Sequence, residues 1–285
     1  MNSNIETSHL IKNGFKNQHE REQITDRGVL DRIRPGHQRI LKFSRVSMFV
    51  GTVLVLIMLM LDLYFVGLLV AALMCGMAES HGRCGISHIG MLAPLKALNS
   101  SAWVKCCLAY TLGGVVTAYL IGLSIAGLGS WIKLGMSPYY LGLIGSVCVL
   151  FLIRDVGWLR FKPPQCDQQT YKEWAMMFGR VVGAGMWGAH IGLAVTTVIK
   201  YGGLYCLVLV AFGFGIGMGE WLLVAFWLGR VVFLWATPSL MSSSPDGMKI
   251  GITLEHSDSA FRLCSLSGLT CILVLNLVPL FPGLL

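Results

Sequence analysis

The chain has 285 residues, of which 55% are hydrophobic and only 13% charged, with a formal net charge of +8. A soluble domain carries about 25% charged residues, so these charges are too few to cover a water-facing surface, and a soluble enzyme is excluded. The apolar runs are long and continuous instead of alternating over about 10 residues, which excludes a β-barrel and leaves helices as the spanning elements.

The positive charge is concentrated at the start, where Lys12, Lys16, Arg21, Arg27, Arg32, Arg34, Arg39, Lys42 and Arg45 precede any long apolar run. Residues 1–45 are expected to be a basic cytoplasmic tail obeying the positive-inside rule, not a nucleic-acid-binding arm and not a signal peptide. The first apolar run, Ser47 to Leu61, ends at Asp62 and Tyr64 and reads as an extra N-terminal helix over 46–64. Apolar sequence resumes at Phe65, is interrupted by the polar island Glu79–Gly85, and continues from Ile86 to Leu98. Two readings stand: one crossing over Phe65–Leu98 with a broken middle, or one long tilted helix over Met48–Met77. Further crossings are expected at 103–129, 138–154, 175–199, 203–229 and 260–284. Loops 155–174 and 230–259 and the Lys96–Lys105 turn hold most of the remaining cations, whereas the other loops hold little beyond Lys133 and Lys200. That bias favours seven helices, with the N-terminus cytoplasmic and the C-terminus outside.

An internal duplication organises the core. Ser87-His88-Ile89-Gly90-Met91 recurs as Ala189-His190-Ile191-Gly192-Leu193, an offset of 190 − 88 = 102 residues, and Gly113 meets Gly215 at the same offset. Three crossings separate the copies, so repeats over 65–154 and 175–285 should be inverted in the membrane. Inverted repeats with interrupted helices around a shared midplane site are a common transporter and conduit architecture. The expected fold is thus all-α, a 3+3 inverted repeat plus one N-terminal helix.

Several residues could carry chemistry. His88 and His190 form a candidate functional pair, because symmetry would bring them to similar depth, and imidazole can bind metal or haem or relay protons. The bland alternative for each is a helix-to-helix hydrogen bond. Glu79, His81 and Arg83 in the island, with Glu220 further on, form a candidate pathway; the island either lines a wet cavity or is an outward-facing loop. Glu220, inside the run 203–229, could pair with Arg180 or His190. Nine cysteines are present, none in a CxxC or zinc-type spacing, and most lie in apolar segments where cysteine packs as a small hydrophobe. Cys75 and Cys84 are a candidate redox pair near His88, with simple packing as the alternative. Asn276 in the last helix suits an interhelical hydrogen bond.

The stretch Gly185-Met186-Trp187-Gly188-Ala189-His190-Ile191-Gly192, followed by Ala211-Phe212-Gly213-Phe214-Gly215, resembles the G-x-x-W-x-P-C-x-G signature and Gly-rich helix of the DsbD and CcdA transmembrane-domain family. Ser87-His88 with Leu92-Ala93-Pro94-Leu95 is similar to that family's first S-P-C segment. The resemblance implies a membrane protein passing reducing equivalents from cytoplasmic thioredoxin to the periplasm. Yet His88 and His190 stand where the family has its reactive cysteines, and imidazole cannot attack a disulfide. With its length and extra helix, the chain looks most like the divergent MauF branch. That branch implies a role in biogenesis of periplasmic methylamine dehydrogenase, with a periplasmic thioredoxin-like or maturation partner besides the lipid bilayer.

Three function classes follow: an accessory protein for maturing a periplasmic enzyme, a thiol–disulfide conduit using displaced cysteines such as Cys75, Cys84 or Cys206, and a transporter of a metal ion or small solute. The first is the expectation. No hydrolase triad, P-loop or dinucleotide fingerprint is present, so no enzymatic activity is expected. The sequence names no cofactor.

Overall fold

A computed structural model of the protein describes residues 34–133, 135–164, 173–193, 198–241 and 247–278, all helices and connecting turns, with no strand among them. The basic tail up to residue 33, Cys166 and the end of the last apolar run lie outside the described residues. Five helices are long and apolar enough to cross a membrane, and six segments qualify if one sharply bent pair counts as a span.

Helix α1 (Arg34–Met60) begins well before the apolar run that marks it in the sequence. Its basic first turns have tertiary partners: Ile40 is buried, Arg39 donates to the carbonyl of Leu240, and Phe43 packs edge-on against Phe233. Two candidate spans have side-chain N-caps. Asn99 accepts from the Ala102 amide ahead of α5 (Ser100–Ile132), and Ser137 accepts from that of Tyr140 ahead of α6 (Pro138–Val156), whose first residue is proline. Both uses fit the orphan donors of a first turn and the fixed φ of proline. The outward sides of α1 and α5 carry Phe49 at 68% and Leu112 at 62% exposure. Such a girdle of exposed apolar side chains needs lipid around it.

The predicted interruption after Met77 is real. Helix α2 (Tyr64–Glu79) stops at Ser80, and α3 (Arg83–Leu92) restarts after Gly82, continuing through the short α4 (Leu95–Leu98) at a bend of 78°. In the second half, the crossing expected at 175–199 is instead the short α7 (Trp174–Met177) followed by α8 (Arg180–Gly192). Thirteen residues rise about 20 Å, short of a ~30 Å hydrocarbon core. The single crossing expected at 203–229 is also corrected. It divides into α9 (Gly203–Phe214) and α10 (Gly219–Leu240). Gly215 and Gly217, at φ of +72° and +101°, take a left-handed path that helix-forming side chains avoid. Most of the described residues in the supposed loop 230–259 are helical as well, in α10 and α11 (Gly247–Glu255), and α12 (Asp258–Leu277) closes the bundle.

At an offset of 102 residues, the unbroken α5 therefore lies against α9, the glycine break and α10. The core sits where α2, α5, α10 and α12 pack together, with Trp227, Phe233 and Phe261 fully enclosed.

Candidate functional site

The polar island is the centre of the site. Glu79, the last residue of α2, is fully buried, and its carboxylate accepts from two successive backbone amides, Lys200 at 3.1 Å and Tyr201 at 2.6 Å. Those amides belong to the turn between α8 and α9. The next amide, Gly202, donates to Asp155 Oδ2 at 3.1 Å. Two buried carboxylates from α2 and α6 thus hold three consecutive N–H groups that no helix satisfies. The interruption after α2 and the one before α9 meet face to face through Glu79.

Around this joint the charges are paired. Arg154 bonds Asp155 at 2.7 Å and donates to the Lys200 carbonyl at 2.9 Å, while Ser265 donates to Asp155 at 2.8 Å. Arg230, 4% exposed on α10, faces Glu79 electrostatically, and Ser80 donates to its carbonyl at 2.7 Å. Lys200 Nζ lies 2.6 Å from Asp258 Oδ1 and 2.8 Å from His81 Nδ1. An ammonium can only donate, so His81 Nδ1 accepts and its Nε2–H donates to the Glu255 carbonyl at 3.3 Å. This fixes His81 as the neutral tautomer, and its 3.7 Å approach to Asp258 is not an ion pair. Tyr201 donates its hydroxyl to Asp258 Oδ1 at 2.9 Å.

Two clefts open onto this network. One, of about 430 Å³, lies between the two interruptions and is lined by His81, Gly82, Arg83, Lys162, Lys200 and Glu255 among others. The other, of about 550 Å³, has Arg154 and Lys200 in common with it and reaches Asp155, Asp258 and Arg262. Of the island, His81, Gly82 and Arg83 line the first cleft, while Glu79 and Ser80 are buried behind it.

The other sequence candidates lie elsewhere. His88 is buried on α3, its Nδ1 2.6 Å from the Cys84 carbonyl and its ring against Tyr110 and Trp187. His190 is half-buried on α8, edge-on to Trp174. Among the described residues no group of three His, Cys, Asp or Glu could hold a metal ion. His88→Ala should lower thermal stability in detergent by about 2 kcal/mol or more, since it empties an enclosed aromatic contact. His190→Ala should cost clearly less, and equal losses in melting experiments would contradict this ranking.

Glu220 is placed differently from the expectation: it stands not in the middle of one long helix but in the first turn of α10, where its carboxylate accepts from the Gly217 amide at 3.0 Å. It holds the glycine break. Lys200, expected in an outer loop, shares a cavity with Arg83 and Lys162. Cys75 packs its sulfur over Gly203 and Gly268, whereas Cys84 sits beside Tyr110 on the other side of the break. Asn276 bonds the Ile272 carbonyl of its own helix at 2.7 Å rather than a neighbouring one.

Asp155, Lys200 and Asp258 carried no signal in the sequence, because each stands singly at the edge of an apolar run. The fold and site together define a multi-pass helical membrane protein whose core contains discontinuous helices meeting at a buried carboxylate. No protein-family model, curated protein or solved structure matches the chain.

Proposed function

We propose that this protein is a membrane accessory factor for the biogenesis of a periplasmic enzyme, methylamine dehydrogenase being the case that the resemblance to the DsbD, CcdA and MauF proteins implies. The observation that carries this reading is the joint at Glu79. A pair of interrupted segments clamped together in the bundle core is the arrangement expected of a family that moves equivalents or solutes through the membrane. In this reading the chain crosses seven times, with α8 and α9 jointly forming the fifth crossing. Support comes from their placement along α5: Gly188 lies on Tyr110 near its start, and Phe212 on Gly129 near its end. The N-terminus is cytoplasmic, and the two halves form the inverted 3+3 pair, each with an interruption beside its His-Ile-Gly motif.

A second reading, the thiol–disulfide conduit, is favoured by one contact the sequence did not suggest. The Cys206 thiol on α9 lies beside Cys148 on α6, with Cys75 close by. Replacing all nine cysteines in the native host separates the two. Normal maturation of periplasmic methylamine dehydrogenase is expected under the accessory reading. Loss of maturation with the variant inserted at wild-type levels would instead establish the thiol relay. Maturation that proceeds equally well in a strain deleted for the whole gene would remove the accessory reading.

A further inference from the structure

The cleft between the two helix interruptions has a charge imbalance that the surrounding network does not use. Its volume of about 430 Å³ falls in the range of small-solute sites, ~300–1,000 Å³, and exceeds what a bare inorganic ion fills. Four cations line it: Arg83, Arg154, Lys162 and Lys200. Arg154 and Lys200 are balanced by Asp155 and Asp258, carboxylates that open onto the neighbouring cleft instead. Arg83 and Lys162 are exposed and have no ion-pair or hydrogen-bond partner among the described residues. Among the described residues, Glu255 is the single carboxylate residue on this wall. The neutral tautomer of His81 adds no charge of its own. The open first turn of α3, which no side chain caps, begins at Arg83 on the same wall.

We infer that this cleft is a binding site for a phosphate-bearing anion, gripped by the Arg83 guanidinium from α3 and the Lys162 ammonium from the segment after α6. The chemistry fits the class. Guanidinium pairs with phosphate oxygens through two parallel N–H bonds, and a lysine adds a point charge from the opposite side. Arg154 and Lys200 supply a positive floor whose side chains are already ordered by their own carboxylates, so little ordering entropy is lost on binding. Because Arg83 belongs to one interruption and Lys200 to the other, an anion here would tie together the two segments that Glu79 joins from inside. The phosphate group could belong to a soluble metabolite or to the headgroup of an anionic phospholipid, and the inference is independent of any role in enzyme maturation.

The test uses the full-length protein in nanodiscs of phosphatidylcholine, with inorganic pyrophosphate as the soluble probe, and in parallel with phosphatidylglycerol added. Wild-type protein should bind pyrophosphate saturably, melt at higher temperature with it, and lose affinity as salt is raised; this outcome assigns a soluble phosphate. If pyrophosphate fails but phosphatidylglycerol is retained in native mass spectra and stabilises the protein, the site takes a headgroup. In either case R83Q/K162Q should weaken binding at least tenfold while melting like wild type without ligand, since both side chains are exposed. Glu255→Gln should act in the opposite direction and tighten binding severalfold. Absence of saturable binding of both probes to the wild type, or undiminished binding in R83Q/K162Q, would overturn the inference.

Discussion

Glu79→Ala is expected to be the most damaging single substitution in the molecule, lowering stability by about 3–5 kcal/mol. The carboxylate is fully enclosed and receives the amides of Lys200 and Tyr201. Its removal strands two buried donors, each costing ~1–3 kcal/mol when unsatisfied. It also removes the carboxylate that faces the buried guanidinium of Arg230 electrostatically, a second loss of the same sign. These terms overlap, so the larger one sets the scale. Glu79→Gln keeps the shape and one acceptor oxygen but turns an N–H₂ toward the second amide, and should fall between the alanine variant and the wild type. Thermal melting in detergent, followed by the monodisperse fraction on size exclusion, orders the three proteins. An alanine variant that melts with the wild type would show that the two interruptions are held together by something else. Any transport or maturation activity should fall in the same order, because the carboxylate sets where the Lys200 turn sits.

The second large effect is predicted for Gly188→Ala. A Cβ at this position would lie 1.9 Å from the Tyr110 carbonyl oxygen and 2.7 Å from its carbon. The obstruction is backbone, so no rotamer change relieves it, and α8 must move away from α5. Overpacking of this kind costs ~1–3 kcal/mol at ordinary core sites, and a backbone clash belongs at the upper end. The displacement has a functional consequence, since α8 leads into the Lys200–Gly202 turn. Lys200 should therefore be loosened from His81 and Asp258 even where the protein still folds. Gly142→Ala on α6 is the matching control. No atom lies within 4 Å of its would-be Cβ, and alanine is favoured over glycine in a helix interior by ~0.5–1 kcal/mol. The two alanines should shift the melting temperature in opposite directions. A shift of equal sign and size would mean that the close approach of α8 to α5 does not constrain the bundle.

Much of the architecture was legible because lipid imposes strong rules on sequence. The interruption after Met77 could be read directly, since Glu79, Ser80, His81 and Arg83 cannot be tolerated together on a lipid-facing helix. The break at Gly215–Met218 was missed for the opposite reason. Glycines within an apolar run look like packing residues, and their left-handed φ values arise only once α9 and α10 each find their own partners on α5. Glu220 was misplaced along with it, because a carboxylate read inside a helix looks like a pathway residue, whereas at a helix start it holds the turn. The histidine pair drew attention through its symmetry in the sequence. Symmetry of letters does not fix burial, and the enclosed His88 and half-buried His190 differ in surroundings.

Composition and apolar run length by themselves determined that this is a polytopic helical membrane protein with an interrupted segment at Glu79–Gly85, because the cost of unpaired backbone and charge in hydrocarbon leaves few other solutions. Which charges meet was decided only by the tertiary structure. Asp155, Lys200, Asp258 and Glu79 come from four separate segments, and their pairing depends on how α2, α6, α9 and α12 pack, a long-range arrangement that no local pattern encodes.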